Sequence, residues 1–158
     1  AYRVPYVQKK VIDDYIDEML GMGIINKSNS DYASPIVLIK KKDKGEYRFC
    51  VDFRKINAIT LKDNYPMPLI EEKLDSLQGS KIFSTLDLTS GYWQFLMSEE
   101  SKKYTAFTSH RGLFEFNRMP FGLCNAGATF QRAMEEMLDG KKNSSAYMDD
   151  ILTHSKSF

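Results

Sequence analysis

The sequence reads as an α+β chain built on a mainly antiparallel sheet. Three features carry that reading: apolar stripes at helical spacing alternate with short β-prone runs, neighbouring β-prone runs are joined by brief glycine-containing turns, and the order lacks strict βαβ alternation. With 158 residues, 42% of them hydrophobic, the chain has material for one packed domain. No apolar run approaches the roughly 20 residues of a membrane span, and the N-terminus lacks the charged-then-apolar plan of a signal peptide. The chain begins with Ala1 and stops at Phe158 just after a strand-like segment, so it reads as a piece of a longer polypeptide.

Taken in order, Val7, Val11, Ile12, Tyr15, Ile16, Met19 and Leu20 form an i, i+4 stripe behind Pro5 and ahead of Gly21 and Gly23, the pattern of a helix with its stop. A Ser/Asn/Asp-rich turn over 26–31 leads to a β-prone run at 35–39. Lys40, Lys41 and Lys42, a turn at 43–46 that contains Gly45, and a second β-prone run at 47–54 complete a hairpin. Pro66 and Pro68 open a second helical stripe through Leu69, Ile70, Leu74 and Leu77, which ends at Gly79. Residues 82–88 are a strand that runs into a polar, glycine-containing bend. Strands at 105–108 and 113–117 are joined through 109–112. Ala128, Phe130, Ala133, Met134, Met137 and Leu138 give a third helix stopped by Gly140, and residues 145–153 close the chain as strand, tight turn, strand.

Composition narrows the chemistry. Cys50 and Cys124 are too few for a disulfide framework and, in apolar contexts, read as small buried thiols. His110 and His154 alone cannot supply a structural zinc site, so any metal here would be held by oxygen ligands. The 22 basic residues nearly balance the 21 acidic ones, and a net charge of +1 does not by itself announce a nucleic-acid partner. The positions of the charges say more than their sum.

Asp149 and Asp150 stand side by side in a strand-like run, where two carboxylates repel and want a positive partner. Asp87 ends the strand at 82–88; if that strand neighbours the last hairpin, all three carboxylates converge. Magnesium suits such a spot, because it takes hard oxygen ligands and is usually held by one or two carboxylates plus substrate phosphates. Alone, the D-D pair reads rather as a hydrophilic hairpin turn, and it gains weight only through what surrounds it. Lys41 and Arg48 face each other across the first hairpin and form a cationic patch for a polyphosphate, or a solvated hairpin tip.

Six blocks give these residues a context. They are Gly23-Ile24-Ile25 with Tyr32-Ala33-Ser34-Pro35; Arg48-Phe49-Cys50-Val51-Asp52-Phe53-Arg54-Lys55-Ile56-Asn57; Asn64-Tyr65-Pro66-Met67-Pro68; Leu86-Asp87-Leu88-Thr89-Ser90-Gly91-Tyr92; Met119-Pro120-Phe121-Gly122-Leu123; and Tyr147-Met148-Asp149-Asp150. In this order and spacing the chain resembles, nearly end to end, the fingers and palm of a reverse transcriptase, most similar to gypsy-like long-terminal-repeat retrotransposons. The resemblance implies a right-hand polymerase fold with an antiparallel palm sheet and packed helices, truncated before the thumb: fingers at about 1–61 and 95–125, palm at about 62–94 and 126–158.

It also implies RNA-directed DNA polymerisation by a two-magnesium mechanism, with manganese as a substitute ion. By the same resemblance Asp87 and Asp149 bridge the metals, the backbone carbonyl of Leu88 adds a ligand, and Asp150 is the supporting third carboxylate. Lys41 holds the triphosphate, Arg48 packs over the base, Tyr92 is a steric gate under the sugar, and Phe121 and Gly122 line the nucleotide pocket. Tyr147, Met148 and Arg54 lie near primer and template. The implied partners are an RNA or DNA template, a primer, deoxynucleoside triphosphates and the rest of a polyprotein: thumb, ribonuclease H, and integrase and protease. No membrane is implied; the setting is an intracellular, cytoplasmic particle with nuclear entry.

Two departures from the resemblance bear on rigidity. Gly127 stands where the family usually has a proline, which softens the start of the third helix, and the strand before the carboxylate pair, 143–146, is polar and expected to pair weakly. With the absent thumb they motivate the alternative of a catalytically incomplete relic or a co-opted nucleic-acid-binding domain. Intact Asp87, Asp149, Asp150, Lys41, Arg48 and Tyr92 speak against long decay.

Overall fold

A computed structural model describes residues 5–41 and 46–157; Lys42 and most of the first hairpin turn lie outside the described residues. In chain order the first elements are α1 (Tyr6–Gly21), β1 (Ile25–Lys27), β2 (Ser34–Lys40), β3 (Tyr47–Val51), α2 (Arg54–Ile59), α3 (Ile70–Ser76) and β4 (Ile82–Asp87). A 3₁₀ turn, Gly91–Gln94, precedes α4 (Glu99–Lys102), β5 (Phe107–Ser109), β6 (Gly112–Phe116), α5 (Ala126–Leu138), β7 (Ser144–Tyr147) and β8 (Asp150–Ser155). The chain divides into two compact units, residues 1–61 with 92–124 and residues 62–91 with 125–158.

The first unit holds a five-stranded sheet in the order β1-β6-β5-β2-β3. All its pairings are antiparallel except that of β2 with β5, which is parallel. Helix α1 buries Ile12, Ile16 and Met19, as the i, i+4 stripe requires. It stops where Gly23 takes φ +67, with Gly23 N–H donating to Leu20 O and Ile24 N–H to Met19 O. That pair of bonds is a Schellman cap, sealed by contact within the core that Met19 and Ile24 share. Phe107 lies at the centre, its ring 5.6 Å from Phe49, 5.8 Å from Phe114 and 5.3 Å from Phe116.

The second unit holds a three-stranded sheet, β4-β8-β7, antiparallel throughout. Ala126, Phe130, Gln131 and Met134 of α5 are buried, and so is Ala146 of β7. The polar strand, expected to pair weakly, pairs in full register with β8 from Ser144 to Tyr147. Helix α5 begins at Ala126, so Gly127 lies within its first turn.

Elsewhere the structure departs from the sequence reading. Strand β3 ends at Val51, because the Asp52 carboxylate accepts the Arg54 N–H at 3.1 Å and turns the chain into α2. Helix α3 starts at Ile70, after an extended Leu69, rather than at the prolines, which lie outside any helix or strand, and it ends three residues before Gly79. Cys124 is exposed rather than buried, on a turn whose backbone is held from outside, and Cys50 is half-buried.

Candidate active site

The acidic residues converge through sheet register. In the pairing of β4 with β8, Asp87 stands directly opposite Asp150, so their side chains leave the sheet on the same face. Tyr147 also pairs with Asp150, which leaves Met148 and Asp149 as the central residues of a two-residue turn. The Leu88 N–H donates to the Asp149 carbonyl at 3.0 Å, tying the end of β4 to that turn. Gly91 N–H closes the next bend onto the Leu88 carbonyl at 3.1 Å, with Ser90 left-handed at φ +51. Gly91 admits no side chain: a Cβ there would lie 2.9 Å from Phe130 Cζ and 3.5 Å from Asp149 Cβ.

Asp87, Asp149 and Asp150 are all exposed. Their oxygens, with the Leu88 carbonyl, form a donor set of the hard kind that fits magnesium. Among the described residues no three acidic, imidazole or thiol groups already form a metal cage, so an ion would have to draw these exposed side chains inward. Register brings Asp87 opposite Asp150 and sets Asp149 in the adjoining turn, but the closed cage is not preformed.

The turn itself is braced by a residue that sequence reasoning missed. Met148 is left-handed, φ +53, at a position where tight hairpins favour glycine. Its N–H donates to Gln131 Oε1 at 2.8 Å, and Gln131 Nε2 donates to Glu135 Oε1 at 2.8 Å and to the Ala146 carbonyl at 3.1 Å. Gln131 is fully buried with both ends of its amide used. A left-handed non-glycine residue costs on the order of 1–3 kcal/mol and persists only where its surroundings determine it. Glu135 also accepts from the Tyr65 hydroxyl; these hydrogen bonds lower its pKa, Tyr65 first, and the same bond raises that of Tyr65. Arg132 bonds Asp63 at 2.6 Å, which holds the Asp63 carboxyl below its usual range, and lies over the Tyr65 ring.

The nucleotide-binding candidates belong to the first unit. The ladder of β2 and β3 continues through Lys41 N–H to the Glu46 carbonyl, and Arg48 pairs with Ile39. By strand alternation Lys41, Arg48 and Glu46 share one face of the hairpin. Lys41 Nζ is paired with Glu46 Oε2 at 2.9 Å, so the carboxylate at the end of the hairpin turn is an ion-pair partner. Arg54 grips Asp52 through Nε and Nη2, and that grip holds the Asp52 carboxyl down at about 2.

Tyr92 packs at a tilt against Phe121, centroids 4.9 Å apart and planes at 35°, and Trp93 meets the same ring edge-on at 6.4 Å. The following turn is clamped by Asn57 of α2: its Nδ2 donates to the Gly122 carbonyl at 2.8 Å and its Oδ1 accepts the Cys124 N–H at 2.9 Å. An aromatic pair adds only about 0.5–1.5 kcal/mol beyond burial, whereas ordering one backbone residue costs about 1–2 kcal/mol. The ring pair alone does not fix the turn; two hydrogen bonds of about 0.5–1.5 kcal/mol each shift that balance.

Residues 39–157 match the family model described as Reverse transcriptase (RNA-dependent DNA polymerase). The chain is 44% identical to the Retrovirus-related Pol polyprotein from transposon opus of Drosophila melanogaster, over 100% of this chain and 16% of that protein. It is 39% identical to the corresponding polyprotein from transposon gypsy, over 92% of this chain and 15% of that protein. Among solved structures, native prototype foamy virus protease-reverse transcriptase aligns with TM-score 0.81 and 27% identity over 99% of this chain and 21% of that one. The foamy viral enzyme in complex with RNA/DNA hybrid aligns with TM-score 0.83 and 25% identity, at the same coverage of 99% and 21%. The chain thus spans about a sixth of the transposon relatives and carries the fingers-and-palm fold of a right-hand polymerase.

Proposed function

The chain belongs to the reverse transcriptase family, and from that premise we propose that it adds deoxynucleotides to a primer 3′-hydroxyl under the direction of an RNA template, as part of a retrotransposon polyprotein. The observation that carries this reading is the register that sets Asp87 opposite Asp150 beside the turn holding Asp149. In this reading the first unit serves as fingers and the second as palm.

Asp87, Asp149 and the Leu88 carbonyl hold two magnesium ions, or manganese in their place, with Asp150 in support. Bound metal supplies positive charge against the developing charge of the transferring phosphate. The protein's own part is positioning. Lys41 takes the triphosphate, exchanging its exposed partner Glu46 for phosphate oxygens, and Arg48 lies over the base. Tyr92 stands under the sugar, with Phe121 and Gly122 lining the pocket. Tyr147, Met148 and Arg54 attend the primer and template.

The partners are an RNA or DNA template, a primer, deoxynucleoside triphosphates and the remainder of the polyprotein, including thumb and ribonuclease H, and integrase and protease. The foamy viral relative bound to RNA/DNA hybrid supports the template class. Among the described residues no helix is long and apolar enough to cross a membrane; the setting proposed is an intracellular particle.

Single-nucleotide extension of a primer annealed to RNA tests the reading. Asp149→Asn should slow extension by about 100-fold or more, the scale for losing one group that stabilises transition-state charge. Extension at the wild-type rate by that variant overturns the assignment.

A further inference from the structure

The Asn57 clamp has a consequence for substrate selection, one that rests on the polymerase reading above. Both hydrogen-bonding ends of this side chain are used on one three-residue stretch, 122–124. Gly122 within it is left-handed at φ +97, and a Cβ built there would meet buried Phe53 at 3.6 Å. The stretch is therefore pinned by Asn57 on one side and seated on Phe53 on another. Phe121, immediately before it, is 55% exposed, so solvent does not hold its ring in place. Its neighbours do: the Tyr92 ring at 4.9 Å and Trp93 at 6.4 Å.

We infer that Asn57 is a positioning residue for deoxynucleotide selection: by fixing 122–124 it holds Phe121 as a buttress against the Tyr92 ring, so that this ring cannot swing aside for a ribose 2′-hydroxyl. A steric gate discriminates only as well as its ring is immobilised. An aromatic at 121 and an amide at 57 are then two halves of one device, joined through the Gly122 backbone.

The chain contains one tryptophan, Trp93, which reports directly on the Phe121 ring. Two measurements on the 158-residue chain are needed: acrylamide quenching of Trp93 fluorescence, and the ratio of kcat/KM for single deoxynucleotide and ribonucleotide addition to a primer on RNA. Asn57→Ala and Phe121→Ala should each raise quenching and lower the deoxy-to-ribo ratio about tenfold, and the double variant should lose no more than either alone. Asn57→Asp, which keeps an acceptor for the Cys124 N–H but opposes the Gly122 carbonyl, should keep the fold and fall between wild type and Asn57→Ala. Unchanged quenching in both Asn57 variants overturns the clamp. Raised quenching with an unchanged ratio overturns its role in selection, as does additive loss in the double variant. A wild-type chain that adds neither nucleotide even when carried on through the thumb overturns the polymerase reading itself, and the selection role falls with it.

Discussion

At residue scale the least expected finding is a fully buried glutamine behind the acidic turn. Gln131 satisfies three partners at once, and one of them, the Met148 N–H, belongs to a left-handed residue. Gln131→Leu conserves volume but leaves that N–H and the Ala146 carbonyl without their partner, at a cost of about 1–3 kcal/mol. Urea unfolding should show this loss, and adding Met148→Gly should recover part of it, because glycine takes positive φ without strain. An unchanged midpoint in Gln131→Leu would refute the brace. The carboxylates themselves were legible in the sequence, since acidic residues inside strand-like runs are rare enough to be noticed. Gln131 and Asn57 were not, because their value lies in backbone groups far away in sequence, and a lone amide on a helix announces no partner. Glu46 escaped notice for another reason: a charge beside a turn reads as solvated until register places it across from Lys41.

At the scale of elements, apolar periodicity found α1 and α5, which bury Ile12, Ile16 and Met19 in the one and Phe130 and Met134 in the other while Met137 stays exposed, and hairpin signals found β2 with β3 and β7 with β8. Helix α2 gave no such signal, because it has no buried residue and its start is set by the Asp52 side chain. That dependence makes the junction of β3 and α2 sensitive to pH. The Asp52 carboxyl, gripped by Arg54, has its pKa lowered from 3.8 to about 2 in the folded chain. A carboxyl depressed on folding stabilises the protein above its unfolded pKa and loses that contribution as pH falls through the folded value. The Tm difference between wild type and Asp52→Asn should therefore be full at pH 5 and shrink between about pH 4 and pH 2. Comparing the two proteins cancels the other depressed carboxyls, Asp63 and Glu135. A difference that stays constant with pH would show that the Arg54 grip does not stabilise the fold.

At the scale of the whole molecule the class was legible but the strand order was not: alternation fixes which runs are strands, while the parallel pairing of β2 with β5 joins segments some seventy residues apart and depends on neither. The two units also differ in what holds each of them. The first buries Phe53, Phe107, Phe114 and Phe116 in one cluster, whereas the second buries a single phenylalanine, Phe130, among the described residues. Each fully buried phenylalanine contributes about 1.5–3 kcal/mol. Strand β4 lies at the edge of its sheet with Phe83 and Leu86 exposed, so little packing opposes its local opening. Native-state hydrogen exchange should therefore find the slowest amides in β5 and β6, exchanging only when their unit unfolds. The amides of β4 should exchange at least about tenfold faster, since a difference of 1.4 kcal/mol in opening free energy already gives that factor. Magnesium added with a primer–template and deoxynucleotide should slow exchange in β4 and at the 148–149 turn most, because Asp87 and Asp149 stand there and binding stabilises the state that binds. Equal protection of β4 and β5 in the free chain would contradict this ranking, and protection on binding confined to the first unit would detach the acidic turn from the proposed chemistry.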